Sequence, residues 1–185
     1  MIQQARIRKT KLFYENREVF MADLVKDIEL GIKQSARLGL IPVFRLNGTS
    51  DIAFEKYEVI RAGKLFRNIF MAFPEVEFYD YTKMLNRKVK DIPNYRLTFS
   101  AADGNDIDTA LAVAQGYNIA VVFGIKKTLP MPESYMGLPV FNGDESDLRF
   151  LDPKGVVVGL YAKGKAKKDT TGFVKYPVIE LRKAA

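Results

Sequence analysis

Four short apolar runs constrain the fold of this chain most strongly. They begin near residues 40, 76, 96 and 119 and cover residues 40–46, 76–81, 96–100 and 119–123. Each run is rich in β-branched or aromatic residues and is bounded by turn-forming residues, which is typical of short strands in a sheet. Helix-like segments separate the runs, a spacing that favours right-handed parallel crossovers over hairpins. The sequence therefore predicts an α/β fold of parallel strand–helix repeats, with an open or half-barrel sheet.

Further elements are predicted around these four strands. Apolar residues recur every three or four positions over residues 21–38, a pattern that predicts an amphipathic helix. Two more helices are predicted at residues 55–73 and 106–115. Three additional strands are predicted at residues 138–141, 155–161 and 176–181.

The predicted organisation has three parts. Residues 1–20 form an N-terminal arm, either an edge strand or an ordered extension, and residues 21–125 form the α/β core. Residues 126–185 form a loop and a short, β-rich, basic C-terminal appendage packed on that core. A length of 185 residues fits one domain, or one domain with such an appendage.

Composition excludes several classes of chemistry, because the chain has no cysteine and no histidine. Disulfides, thiolate zinc sites, iron–sulfur clusters and cysteine nucleophiles are ruled out, and the commonest general base is missing. We expect no metal site and no cofactor, with Mg²⁺ as the only ion that the remaining oxygen ligands leave open. We also expect a cytoplasmic protein without a membrane partner, because no apolar run approaches the roughly 18 residues of a spanning helix.

Polar residues follow the first three predicted strands. In parallel sheets, ligands bind beyond the carboxyl ends of the strands, where loops are free and helices do not cover the surface. An arginine or lysine there would hold a phosphate, and an aspartate would act as a base or a Mg²⁺ ligand. The structural alternative is that these residues form turns and a helix cap. The ligand-binding candidates are Arg45, Asn47, Asp51, Asp80, Thr82, Lys83 and Ser100.

An acidic cluster lies further along the chain, where Asp144, Glu145 and Asp147 precede Arg149. The spacing departs from that of a calcium loop and lacks the distal bidentate glutamate. The sequence therefore favours a turn held by local ion pairs over a metal site.

Positive charge is concentrated at the end of the chain. The formal net charge is +7, and residues 154–185 carry eight basic side chains against two acidic ones. Such segregation is typical of proteins that bind polyanions, although a solubilising surface is the alternative. Four lysines within residues 163–168 lie between Tyr161 and Phe173, so lysines can follow phosphates while aromatic rings stack on bases. The nucleic-acid-binding candidates are Arg6, Arg8, Lys9, Lys11, Tyr161, Lys163, Lys165, Lys167, Lys168 and Phe173.

Three motifs carry a resemblance to a known family. They are Arg45-Leu-Asn-Gly-Thr-Ser-Asp51, Phe78-Tyr-Asp-Tyr-Thr-Lys83 and Leu97-Thr-Phe-Ser100. Over roughly residues 20–125 the chain resembles the phage and plasmid proteins of the gene product 88 family. The resemblance implies a barrel-like strand–helix core and an origin in a phage or mobile element. Family members look in turn like partial barrels related to radical S-adenosylmethionine enzymes and carry a cysteine-rich region, but this chain has no cysteine, which excludes cluster-dependent chemistry.

Three functions are consistent with these patterns. The leading prediction is a non-enzymatic, basic accessory protein that binds DNA or RNA mainly through phosphate contacts. The alternative is an enzyme or small-ligand binder that acts on a phosphorylated or nucleotide-like ligand at the strand ends. The third is an inhibitor of a host factor, for which Tyr135, Met136 and Leu138 are candidate interface residues in a proline-punctuated loop.

Overall fold

A mostly parallel sheet dominates the structure, a computed structural model that describes residues 2–177. The helices are α1 (Ile2–Glu15), α2 (Arg17–Arg37), α3 (Ile69–Ala72) and α4 (Asp106–Ala114). The strands are β1 (Val43–Phe44), β2 (Val59–Arg61), β3 (Lys64–Phe66), β4 (Glu77–Thr82), β5 (Tyr95–Ser100), β6 (Asn118–Phe123), β7 (Ser134–Tyr135), β8 (Leu138–Asn142), β9 (Val157–Tyr161) and β10 (Val174–Lys175). Short 3₁₀ turns span Phe54–Lys56, Arg149–Leu151 and Gly164–Lys168.

The main sheet has the strand order β1-β4-β5-β6-β9-β8-β7. The four strands predicted first are thus neighbours, and the pairs β1–β4 and β5–β6 are parallel as expected. β9 pairs in parallel with both β6 and β8, whereas β7 and β8 form an antiparallel pair. Among the described residues the sheet begins at β1 and ends at β7, so it does not close into a barrel. The half-barrel curvature stays a prediction.

β6 has an unusual set of neighbours. Residues 118–120 of this strand pair with β5, and residues 119–123 pair with β9 on the opposite edge. Val122 and Phe123 also pair in parallel with Val174 and Lys175 of β10. β10 therefore occupies the edge of β6 that β5 leaves free.

The chain divides into two compact units. The first comprises Met1–Leu46, Ile52–Phe78 and Lys88–Tyr95. In this unit, Phe13 of α1 is buried and packs edge-on against Phe20 and Tyr57, at centroid distances of 5.3 and 5.5 Å. Arg17 stacks its guanidinium on Tyr57, with 4.5 Å to the ring centroid. The Phe13–Phe20 contact joins α1 to α2, and the contacts of Tyr57 with Phe13 and Arg17 join the segment after the first 3₁₀ turn to both helices.

Residues 2–15 and 17–20 are helical, so the edge-strand interpretation is wrong. Asn16 separates α1 from α2, and its side-chain oxygen accepts the Val19 N–H at 3.3 Å, which begins α2. α2 buries Met21, Val25 and Ile28, so the predicted amphipathic face is confirmed and the helix only begins earlier than predicted. The basic candidates of this segment are all exposed on α1, namely Arg6, Arg8, Lys9 and Lys11.

The helix predicted at residues 55–73 is wrong. The segment forms a 3₁₀ turn, the β2–β3 hairpin and the short helix α3. Ala62 and Gly63 both have positive φ, 50° and 75°, as a two-residue hairpin turn requires. Glycine at the second turn position and β-branched Val59 and Ile60 before it favour the hairpin over a helix.

Two other predicted strands differ from the structure. The run at residues 40–46 forms only the two-residue strand β1, which is half-buried because it lies at the edge of the sheet. Of the strand predicted at residues 176–181, Tyr176 and Pro177 follow β10 and are not in a strand, and residues 178–181 lie outside the described part of the chain. No helix connects β4 to β5 in the described residues, so the predicted strand–helix repeat holds only in part.

The second unit contains the most deeply buried strands. It comprises Asn47–Asp51, Tyr79–Arg87 and Arg96–Ala185. Its core includes Phe99, Ile119, Val121, Phe123 and Val157, all with no exposed surface. α4 follows β5 and buries Ala112 against this core. The apolar strand predicted at residues 119–123 is therefore central to the unit, as its lack of polar residues indicated.

The acidic segment after β8 forms a turn held by local polar contacts. Asn142 donates to Glu145 Oε1 at 3.0 Å, and Arg149 Nη2 donates to the Gly143 carbonyl at 3.0 Å. Arg149 Nη1 also lies 3.2 Å from Asp152 Oδ2. The segment is thus a turn as predicted, but its local ion pair joins Arg149 to Asp152, and Asp144 pairs with the more distant Lys163.

Candidate functional site

Several predicted ligand residues bond to one another instead of facing an open cleft. Asp80 has no exposed surface, and its two carboxylate oxygens accept the Asn47 N–H at 2.7 Å and the Asn47 side-chain amide at 3.1 Å. Ser50 Oγ donates to Asn47 Oδ1 at 2.8 Å. Within the second unit this network fixes residues 47–51 beside β4, so Asn47 and Asp80 hold the loop in place.

A second part of the network is centred on Asp51. Its carboxylate accepts the Thr82 hydroxyl at 3.1 Å and the Lys83 N–H at 2.7 Å. Arg87, which the sequence analysis did not single out, donates to Asp51 from Nη1 at 3.2 Å. Thr82 and Arg87 are buried, so the group stabilises the carboxyl end of β4.

The remaining ligand candidates lie elsewhere. Arg45 is exposed and belongs to the first unit, whereas Ser100 is half-buried and its carbonyl accepts the Asn105 side chain at 3.0 Å. The Lys83 side chain is exposed, although its main chain joins the Asp51 group. The structure thus joins Asn47 to the buried Asp80, and Thr82 to the half-buried Asp51, in two hydrogen-bonded groups.

A pocket of about 520 Å³ lies at the carboxyl ends of β6, β9 and β10. We call it the lysine pocket. Its described lining consists of Gly124, Ile125, Lys126, Lys127, Tyr161, Ala162, Lys163, Lys167 and Tyr176. Four of these residues are lysines and two are tyrosines, and none of the described lining residues carries a carboxylate. The pocket thus lies where ligands usually bind in parallel sheets, beyond the carboxyl ends of the strands. The predicted ligand residues follow the first three predicted strands, whereas this pocket lies at the ends of β6, β9 and β10.

One wall of the lysine pocket is formed by the Tyr176 ring against Gly124. The Gly124 N–H donates to the Lys175 carbonyl at 2.8 Å, which aligns the end of β10 with the end of β6. A Cβ atom at Gly124 would clash with Cε1 of the Tyr176 ring. The ring therefore occupies space that exists because residue 124 is glycine.

The turn after β6 carries Lys126 and Lys127. It is closed by the Leu129 N–H, which donates to the Lys126 carbonyl at 2.9 Å. The Tyr161 hydroxyl donates to the Leu129 carbonyl at 2.9 Å and so attaches the turn to the end of β9. Both lysines are exposed, which leaves their ammonium groups accessible to an anion.

Lys163 enters the pocket from the end of β9 and contacts Asp144. Its Nζ lies 2.6 Å from Asp144 Oδ1, while Asp144 Oδ2 accepts the Tyr161 N–H at 3.1 Å. Burial raises the pKa of Asp144, but the bonds from Lys163 and Tyr161 and the charges of Lys163 and Lys127 outweigh it, so this pKa lies below its ordinary value. The bond to Asp144 and its charge raise the pKa of Lys163. Lys163 is thus a fixed cation.

The other lysines of this segment lie on the 3₁₀ turn Gly164–Lys168, where Lys165, Lys167 and Lys168 are all exposed. Asp169 closes the turn, because its carboxylate accepts the Val174 N–H at 3.1 Å and the Thr171 hydroxyl at 2.9 Å. The bond from the Val174 N–H is the main cause that lowers the pKa of Asp169. Asp169 therefore joins the lysine-bearing turn to β10.

We expect the free energy of unfolding to fall in acid partly through Asp144 and Asp169. Both carboxylates have a pKa below the ordinary value of 3.8 in the folded protein. Their contribution to the free energy of unfolding is therefore complete above pH 3.8, and it is lost as the pH falls through their pKa in the folded protein. Urea unfolding across acidic pH should show Asp144→Asn with a shallower acid loss than the wild type. Asp91→Asn, which alters an exposed carboxylate, is the control. An unchanged acid profile for Asp144→Asn would contradict the assignment.

The lysine pocket contains only part of the predicted nucleic-acid set. Tyr161, Lys163 and Lys167 line it, Lys165 and Lys168 lie on the same turn, and Phe173 is half-buried nearby in the chain. Lys126, Lys127 and Tyr176 line the pocket but are not among the residues predicted from the sequence. The two lysines follow the fourth predicted strand directly, so the strand-end rule applied to residues 119–123 would have found them.

The N-terminal basic residues lie in the first unit, apart from this set in the chain. Arg8 and Lys11 line a groove on α1 of about 390 Å³, together with Gln4, Ile7, Leu12 and Glu15. Lys9 lies 3.7 Å from Asp27, a surface pair of small energetic effect. Arg6 is exposed on the same helix.

Of the helices within residues 2–177, none combines the length and the apolar character needed to cross a bilayer.

Comparison with known proteins identifies the family. The family model described as Gene product 88 matches residues 1–177, which is nearly the whole chain. No curated protein and no solved structure matches the chain. The likeness to radical S-adenosylmethionine enzymes gains no support from these comparisons. The match extends well beyond the three motifs on which the resemblance rested, and the chain belongs to the gene product 88 family.

Proposed function

We propose that the protein binds nucleic acid, mainly through phosphate contacts made by the lysines in and beside the lysine pocket. The observation that carries the proposal is the composition of this pocket, where four lysines and two tyrosines meet without a described carboxylate in the lining. Lys163 pairs with Asp144, which lies outside the described lining, whereas Lys126, Lys127 and Lys167 form no ion pair within the described residues. An ammonium-rich concavity with aromatic walls suits a phosphorylated, aromatic ligand.

The turn Gly164–Lys168 extends this cationic surface. Lys165 and Lys168 are exposed beside Lys167, which itself lines the pocket. A row of ammonium groups can follow successive phosphates along a strand and release their condensed counter-ions. This extension favours a polymer over an isolated anion.

The distribution of charge along the chain also supports a polyanion. Residues 154–185 carry eight basic side chains against two acidic ones, whereas the rest of the chain is nearly neutral. A local excess of one sign raises the association rate with an oppositely charged partner. The exposed basic residues of α1 remain a second proposed contact.

We expect a fluorescent oligonucleotide to bind the wild-type protein with strong salt dependence. The logarithm of the association constant should fall linearly with the logarithm of salt concentration, with a slope of about −0.7 to −0.9 per neutralised phosphate. Anisotropy titrations between about 50 and 200 mM salt measure this slope. Absence of binding at the lowest salt would overturn the proposal, and so would an affinity that does not change with salt.

A second candidate function is that of an enzyme or small-ligand binder, whose substrate or ligand is phosphorylated or nucleotide-like. A volume of about 520 Å³ at the carboxyl ends of parallel strands favours it, because small-ligand sites commonly have this size and position. Thermal-shift measurements with nucleotides, with and without Mg²⁺, distinguish it. A ligand at 100 times its dissociation constant should stabilise the protein by about 2.7 kcal/mol.

The third function, inhibition of a host factor, stays a prediction with weaker support. Of the three proposed interface residues, only Met136 is exposed, at the turn between β7 and β8. Tyr135 packs edge-on against Phe123, with 5.3 Å between ring centroids, and Leu138 packs on the same core.

A further inference from the structure

We infer that the lysine pocket accommodates one unpaired nucleotide of a single strand, with its base stacked on the Tyr176 ring. The inference rests on the proposed function and specifies the form of nucleic acid. It assigns binding roles to residues from separate segments of the chain. Lys126 and Lys127 follow β6, Lys163 and Lys167 follow β9, and Tyr176 follows β10.

Tyr176 is the aromatic residue that is available for stacking. It is 63% exposed, although its ring lies directly against Gly124 at the pocket wall. Tyr161 is half-buried, and its hydroxyl holds the Leu129 carbonyl, so its position serves the turn that carries Lys126 and Lys127. A ring supported by main chain and open to solvent is a suitable platform for a base, and every base has a face that can stack.

Stacking of a base on Tyr176 favours a single strand over a duplex. A volume of about 520 Å³ accommodates a group of nucleotide size. In a duplex the base faces are covered by stacking, so an aromatic side chain reaches them only after a nucleotide has been flipped out, which costs free energy. A single strand presents its bases without that cost. The lysines of the pocket then contact the phosphates next to the stacked nucleotide.

The test compares three fluorescent ligands with the full chain at one low salt concentration. They are an oligothymidylate of about 12 nucleotides, a duplex of the same length and an abasic sugar–phosphate strand. We expect the wild type to bind the oligothymidylate more tightly than either of the others. Tyr176→Ala should weaken oligothymidylate binding about 5- to 150-fold, with little effect on the abasic strand and the salt slope.

Two further variants test the stacking role itself. Tyr176→Phe keeps the ring and should retain the wild-type affinity. Gly124→Ala leaves every pocket side chain in the sequence but displaces the Tyr176 ring, so it should reproduce most of the loss seen with Tyr176→Ala. Far-ultraviolet circular dichroism confirms that each variant is folded.

The outcomes separate this inference from the proposed function. Equal binding of all three ligands by the wild type, with no effect of Tyr176→Ala, would overturn the inference and leave phosphate binding intact. Equal loss for oligothymidylate and abasic strand in Tyr176→Ala would also overturn it, because the tyrosine would then act on the backbone. Absence of binding to any ligand at low salt would overturn both.

Discussion

Replacing Arg149 with Met is expected to lower the free energy of unfolding by about 3–5 kcal/mol, because Asp152 then remains as a buried charge without a partner. The side chains of Arg149 and Asp152 are 0% and 2% exposed, and Nη1 lies 3.2 Å from Oδ2. Burial raises the pKa of Asp152 even though the Arg149 charge opposes it. The carboxylate is therefore poorly solvated already, and the guanidinium is its main stabilising contact.

The double variant Arg149→Met, Asp152→Leu should recover most of this loss, because two apolar side chains replace the pair and no charge stays buried. Urea unfolding of the wild type, both single variants and the double variant gives the coupling energy. The loss of unfolding free energy in Arg149→Met should also become smaller in acid. The pKa of Asp152 is raised, so its charged form destabilises the folded state above that pKa. Once Asp152 is protonated, it no longer carries a buried charge. A double variant as unstable as the single one would show that the Arg149 bond to Gly143 is the larger contribution.

Replacing the four pocket lysines with Gln is expected to reduce oligonucleotide affinity by about 10³-fold at 50 mM salt and to flatten the salt slope by about 3. The residues are Lys126, Lys127, Lys163 and Lys167. Glutamine removes the positive charge and keeps a polar side chain, although it is one atom shorter than lysine. The loss follows from removing four phosphate contacts, each of which contributes about 0.7 to the slope for a single strand.

A matched variant separates local contacts from net charge. Lys33, Lys56, Lys88 and Lys90 are exposed lysines of the first unit, and none lines the lysine pocket. Changing these four to Gln removes the same formal charge, yet we expect the slope to stay close to the wild-type value. Similar losses in both variants would mean that the chain binds polyanions through its overall charge, with no role for the pocket.

The sequence predicts those parts of the fold whose signals are local. Residues 119–123 contain no polar side chain, and they form the strand β6 at the centre of the second unit. The helix at 106–115 and the strand at 96–100 were also placed to within a residue or two. The prediction of a helix at 55–73 is wrong because it rested on an irregular spacing of apolar residues. Gly63 favours a tight turn, and Asn68 caps a new short helix, α3.

The candidate site was predictable only in part, because its members come from separate segments. Lys163 and Lys167 were identified from their own spacing, and Lys126 and Lys127 follow a strand that had been recognised. Tyr176 gives no local signal, since its place depends on pairing of β10 with β6 and on the missing side chain of Gly124. The Asp51 and Asp80 carboxylates lie at the carboxyl ends of strands, where a ligand site is expected. They instead accept hydrogen bonds from Asn47, Thr82 and Arg87 of the same chain.

The shared edge of β6 bears on the order of events during synthesis. β5 pairs with this edge as far as Ala120, and β10 continues the pairing from Val122, some fifty positions later in translation. The segments that form β5, α4 and β6 are therefore synthesised well before the segment that carries Tyr176. The Tyr176 wall of the lysine pocket is complete only when β10 has paired with β6.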